Sequence, residues 1–202
     1  MNILYLNQGD SRYPAQLHMA LADNAPARIS VLGNVDILKD KKTAFFCSSK
    51  CPGDLIIKTY DLAKKWRDDG VTVIGGFHSP VEQECLTILL RGKQPVIVCP
   101  ARSIEGMRIK EEYKGPIEEG RIVIVSASDK KERRITSETS QARNRLVAAM
   151  ADEIIIAHAE PSSKTEQLFQ QAFAWGKPVF TFNSKYNDNL QGKAADIELK
   201  FI

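Results

Sequence analysis

Residues 151–182 read ADEIIIAHAEPSSKTEQLFQQAFAWGKPVFTF. The run EIIIA (153–157) is short, rich in β-branched residues and opened by Asp152, as a strand buried on both faces reads. Ser162, Ser163, Lys164 and Thr165 then supply a helix start. Apolar positions recur at helical spacing over 164–176, and Trp175-Gly176 closes the helix. The next apolar run, 178–182 (PVFTF), follows at once. Strand, loop, helix, loop, strand is the repeating unit of a parallel sheet covered by helices.

The same unit recurs toward the N-terminus. Apolar runs at 43–47 (TAFFC), 71–74 (VTVI), 95–99 (PVIVC) and 121–125 (RIVIV) predict four more strands. Helical patterns lie near 53–69, 80–91, 108–119 and 138–150, with Asp69-Gly70 and Arg91-Gly92 as stops. The pattern predicts an α/β protein with a Rossmann-like, doubly wound and mainly parallel sheet. Before it, RYPAQLHMAL and APARISVLGN predict a short helix and a strand. They form an N-terminal extension (1–40) packed on one globular unit (41–202). ADIELKFI at the end predicts a short edge strand.

Composition agrees. The 202 residues are 43% hydrophobic and 26% charged, which suits a folded domain and excludes disorder, collagen and coiled coil. No apolar run approaches the roughly 20 residues a membrane helix needs. The N-terminus lacks a basic segment followed by an apolar one, so a cytoplasmic protein is expected. Cys47, Cys51, Cys85 and Cys99 have no metal-ligand spacing and read as reduced thiols. No motif calls for a cofactor. The net charge of +3 permits a nucleic-acid partner only if cations cluster.

Ligands of open parallel sheets bind beyond the carboxyl ends of the strands. The loop CSSKCPGD (47–54) places Ser48, Ser49 and Lys50 before a helix start, an arrangement that favours an anion. The loop GGFHSPVEQE (75–84) has two readings. Ser79, Pro80 and Glu82 form a capping-box pattern. Alternatively, Glu82 and His78 stand beside Gly75 and Gly76 as an acid–base pair, with Phe77 as a stacking surface or a packed loop residue. Ser163, Lys164 and Thr165 form a second anion-favouring loop. Arg143, Asn144 and Arg145 lie just upstream, on one groove or on a solvated face. KKERR (130–134) reads as a charged surface loop, and His158 as a hydrogen-bonded structural histidine.

Three segments resemble the DNA-processing protein A family (DprA, also called SMF). RYPAQL with APARISVLGN resembles its opening, and TAFFCSSKCPGD its first core strand and G-S-R loop. QARNRLVAAMADEIIIAHAEPSSKTEQLFQQAFAWGKPVFTF resembles its R-N-R block and the strands beyond. The resemblance spans about residues 12–182. It implies a Rossmann-like fold that binds single-stranded DNA and loads a recombinase. Carried over by position, Ser48, Ser49, Lys50, Arg143, Asn144, Arg145, Ser163, Lys164 and Thr165 line a DNA or phosphate pocket. A homodimer is a further option.

This chain also departs from the family. Cys47 replaces a glycine, and IGGFHSPVEQEC replaces S-G-L-A-R-G-I-D. His78 falls where the family has arginine, Cys85 about where it has histidine, and Val81 or Glu82 near its aspartate. Carboxylates weaken a surface that only binds phosphate. The related LOG-type proteins cleave N-glycosidic bonds with Arg and Glu at the same sheet edge. The expectation is therefore a DNA glycosylase acting on a modified base, in the manner of anti-phage enzymes of the Brig type. Glu82 would be its carboxylate, His78 the assisting group and Glu84 the reserve. Its partner would be single-stranded DNA or a duplex with a flipped base. Two alternatives stand beside it: a non-enzymatic single-stranded DNA-binding recombination mediator, and a LOG-like nucleotide hydrolase or sensor.

Overall fold

In a computed structural model, residues 2–197 are described. They form one nine-stranded sheet: β1 (Leu4–Asn7), β2 (Arg28–Gly33), β3 (Lys42–Cys47), β4 (Thr72–Gly75), β5 (Val96–Val98), β6 (Ile122–Ser126), β7 (Glu153–His158), β8 (Val179–Thr181) and β9 (Ala195–Asp196). The order is β1-β2-β6-β5-β4-β3-β7-β8-β9. The strands from β6 to β9 run parallel, while β1 and β2 join antiparallel at the β6 edge. The fold is the expected Rossmann-like one, and the six apolar runs are β3 to β8.

Six helices connect the strands: α1 (Ala15–Leu21), α2 (Gly53–Asp68), α3 (Pro80–Leu90), α4 (Glu111–Glu118), α5 (Ser137–Met150) and α6 (Lys164–Ala174). Successive strand residues point to opposite faces, so each strand feeds two cores. Phe46, Ile74, Ile154 and Ile156 pack with Leu17, Val147 and Phe169 beneath α1, α5 and α6. Phe45, Val73 and Ile155 pack with Leu62, Trp66, Leu89 and Tyr113 beneath α2, α3 and α4. Phe45 meets Trp66 edge to face, with ring centroids 5.5 Å apart. Every residue of β3, β6 and β7 is buried.

The residues before β3 add strands to this same sheet. Ser30 of β2 pairs with Ser126 of β6, and Tyr5 of the unanticipated β1 pairs with Ser30. Helix α4 starts later than its apolar pattern implies. Gly106 takes a left-handed φ of 68°, and Met107–Lys110 then run without helical structure. ADIELKFI begins as β9, and its residues 198–202 lie outside the described part. Among the described residues no helix is long and apolar enough to cross a membrane.

Candidate nucleic-acid interface

From β3 the chain builds outward through β4, β5 and β6 on one side, then returns to add β7 and β8 on the other. The crevice at that switch opens at the carboxyl ends of β3 and β7. Ser48 spans it: its N–H donates to the His158 carbonyl (2.9 Å), and its Oγ accepts the Glu160 N–H (3.0 Å). Ser48 is thus buried and committed, while Ser49 and Lys50 are exposed. Pro52 precedes α2 and offers no side-chain cap, so the first-turn N–H groups of α2 lack one.

Across the crevice, Ser163 caps α6 by accepting the Glu166 N–H (3.2 Å), and Glu166 accepts the Ser162 N–H (2.6 Å). Lys164 stays exposed and Thr165 is partly so. His158 is structural: Nδ1 pairs with Asn187 Oδ1 at 2.9 Å.

In the loop after β4 the capping box is formed. Ser79 Oγ accepts the Glu82 N–H, and the Glu82 carboxylate accepts N–H groups from Cys47 (2.9 Å), His78 (2.7 Å) and Ser79 (3.2 Å). Glu82 is only 7% exposed, and burial pushes its pKa above the usual carboxylate range while these backbone donors pull it down. Its oxygens are spent on the backbone. Glu84 is exposed, two residues on and about 200° around α3 from the inward side of Glu82, and His78 is exposed on the loop. Phe77 is 6% exposed, held at φ 48°, with its ring against Gly75, so it packs inward as a loop residue.

The R-N-R block divides its arginines. Arg143 is buried: Nη1 donates to the Cys99 carbonyl (3.0 Å), and Nε donates to Asn144 Oδ1 (2.7 Å). Its guanidinium covers Gly76 so closely that no Cβ would fit there. Desolvation lowers the Arg143 pKa, and the nearby Glu82 carboxylate opposes that shift. Arg145 is exposed. Both arginines border one groove of about 260 Å³ beside Pro100 and Ser126, and Arg145 also meets Asn144 and Lys164 in a crevice between α5 and α6.

Sequence reasoning left the loop after β5 aside and read KKERR (130–134), in the loop after β6, as a charged surface. Residues 99–110 and 127–136 hold seven cations and three acids, a net +4 against +3 for the whole chain. The fold brings them together: the Ser103 N–H donates to the Glu132 carbonyl (2.8 Å), Ser126 Oγ donates to the Arg102 carbonyl (2.8 Å), and Lys130 pairs with Glu105 (3.2 Å). They border a second cavity of about 260 Å³ with Phe77, Met107, Ile109 and Tyr113 on its walls. Arg102, Arg108, Lys110 and Arg143 also line it, and among the described residues no carboxylate does. Arg102 Nε is buried there without a hydrogen-bond acceptor. The available signal was the excess of cations in two loops that each follow a strand. Among the described residues, no group of three or more His, Cys, Asp or Glu is placed to hold a metal.

The chain matches the family model of DNA recombination-mediator protein A over residues 4–199. No curated protein matches it. Among solved structures it is similar to DNA processing protein A (DprA) from Streptococcus pneumoniae, at 18% identity and a TM-score of 0.80, over 98% of this chain and 71% of that one. It is also similar to DNA processing protein A from Helicobacter pylori, described for its single-stranded DNA binding mode, at 20% identity and a TM-score of 0.78, over 98% and 91%. The molybdenum cofactor binding protein from Rippkaea orientalis is more distant, at 13% identity and a TM-score of 0.54, over 80% and 96%. These likenesses are likenesses of fold.

The glycosylase expectation is corrected on both grounds. Glu82, its intended carboxylate, is a buried helix cap, and the matching family is one of recombination mediators rather than hydrolases. The enzyme assignment and the antiviral role go with it. Spanning nearly the whole chain, the match shows that it belongs to the DNA recombination-mediator protein A family.

Proposed function

We propose that this protein binds single-stranded DNA without cleaving it and holds the strand for recombination. The observation that carries the reading is the placement of charge: the loops after β5 and β6 alone hold more net positive charge than the whole chain. Cations there pair with phosphates, and release of the counterions drives binding. The partly exposed Met107 and Ile109 walls suit the apolar face of an unstacked base, while Arg102, Arg108 and Lys110 suit its phosphates. Ser49, Lys50, Arg145, Lys164 and Thr165 extend the track across the switch point. The related Helicobacter pylori protein, described as binding single-stranded DNA, supports the same reading.

The test is fluorescence anisotropy with a labelled oligonucleotide, single-stranded or duplex, over a range of salt. Binding should favour the single strand and weaken linearly in log–log form as salt rises. Lys110→Ala and Arg145→Ala should each reduce the salt slope by about 1. Salt-independent binding, or equal preference for duplex, overturns the reading.

A further inference from the structure

Arg145 stands where three cavities meet, and their walls differ in charge. The groove beside Pro100 and Ser126 carries Asp129, Glu132 and Glu138, which repel phosphates. The crevice between α5 and α6 carries Asn144, Lys164 and Gln167 instead. Next to that crevice, between α1, α5 and α6, lies a cavity of about 620 Å³, a size that suits a small ligand. The crevice and this cavity share Arg145 and Gln171, and among the described residues no carboxylate lines either.

Helix α6 joins the two. Lys164, Gln167, Gln171 and Trp175 recur every three or four residues, so they share one face, about 16 Å long at 1.5 Å per residue. Glu166 falls off that face and is spent on the Ser162 N–H (2.6 Å) and on Asn189 Nδ2 (2.7 Å). The Lys164 ammonium donates only to the neutral Gln167 amide (3.3 Å), and Arg145 donates to no side chain or carbonyl beyond its own helix among the described residues. Trp175 ends the face. It is half-buried, packs against the core beneath α1, α5 and α6, and borders the cavity opposite Leu21 and Pro26. Among the described residues no other aromatic ring stacks on it. An open indole at the end of a cation-marked groove without carboxylates suits a base whose phosphates follow Lys164 and Arg145.

We propose that the single strand leaves the switch point along α6 and stacks a base on Trp175. This path rests on the proposed function and gives it a direction, away from the acidic groove beside Ser126.

Protein fluorescence reads the stacking, because the chain has two tryptophans and Trp66 is fully buried. Oligothymidylate should quench Trp175 in step with its binding by anisotropy, and salt should reverse both. Trp175→Phe should remove the quench and keep most of the affinity, while Trp175→Ala should weaken binding about tenfold. Gln171→Glu puts a carboxylate on the path at an exposed site and should weaken binding several-fold. Gln170→Glu makes the same charge change off the path, beside Lys193, and should leave binding unchanged. Equal effects of the two substitutions, DNA binding without a quench, or a quench that survives Trp175→Phe overturns the path and leaves the proposed function standing. Thymidine monophosphate quenching as strongly as the long strand makes the cavity a free-nucleotide site and also overturns the path. Absence of DNA binding by anisotropy overturns the proposed function, and the path with it.

Discussion

The guanidinium of Arg143 lies on the backbone of Gly76, in the space a Cβ would occupy. Any side chain at Gly76 must expel it and break its bond to the Cys99 carbonyl. That carbonyl is buried, and losing its partner costs about 1–3 kcal/mol. Gly76→Ala is therefore expected to lower the unfolding midpoint in urea and to weaken DNA binding, because Arg143 borders both cavities. Equilibrium denaturation with anisotropy on the same sample measures both effects.

Glu82→Gln tests the cap. A glutamine turns one acceptor into a donor that faces backbone N–H groups, so a loss of about 1–3 kcal/mol is expected. The pH dependence carries a sign. Burial raises the folded-state pKa of Glu82 above its ordinary value. Between those two values the folded state binds more protons than the unfolded chain, so this group's contribution to stability falls as pH rises. Thermal melts across the acidic range should show that component in the parent and lose it in Glu82→Gln.

Arg102 places a buried Nε without an acceptor in the cationic cavity. Such a donor costs the fold free energy. Arg102→Met keeps the stem and removes the orphan, so it should leave the melting temperature unchanged or higher while weakening single-stranded DNA binding. Calorimetry and a salt titration on the same variant check the two directions. Lower stability with unchanged affinity contradicts the assignment.

Asn187 is fully buried and joins β7 and β8 to the chain beyond them. Its Nδ2 reaches the Ala157 carbonyl (3.0 Å) and Thr181 Oγ1 (2.9 Å), and its Oδ1 meets His158. Asn187→Ala strands several of these partners at once. A loss above about 2 kcal/mol is expected, since each unsatisfied buried group costs about 1–3. Urea unfolding measures it, and hydrogen exchange at Ala157–Ala159 should accelerate with it.

The centre of this fold is legible in the sequence because β3 to β8 are apolar toward both faces and short enough to be strands. β1 is not, since LYLN spans four residues and alternates only weakly. The site is legible in part. Lys50, Arg145 and Lys164 stand out because the strand–helix alternation marks which loops meet a ligand. Ser79 and Glu82 announce a cap and a carboxylate together, and choosing between them needs the burial of Glu82, which spacing does not carry. The basic loops 99–110 and 127–136 are separated by α4 and β6. Only the packed sheet joins them through Ser103 and Ser126. Each alone reads as an ordinary solvated surface.

The pairing of β2 with β6 bears on how the chain is made. Translation releases β2 well before β6, so Ser30 waits for Ser126 while everything between them is synthesised. Until then Ile29 and Val31 have only each other's hairpin and α1 for shelter, and their free edge invites chaperones or neighbouring nascent chains. The β2 edge is thus made long before the strand that covers it.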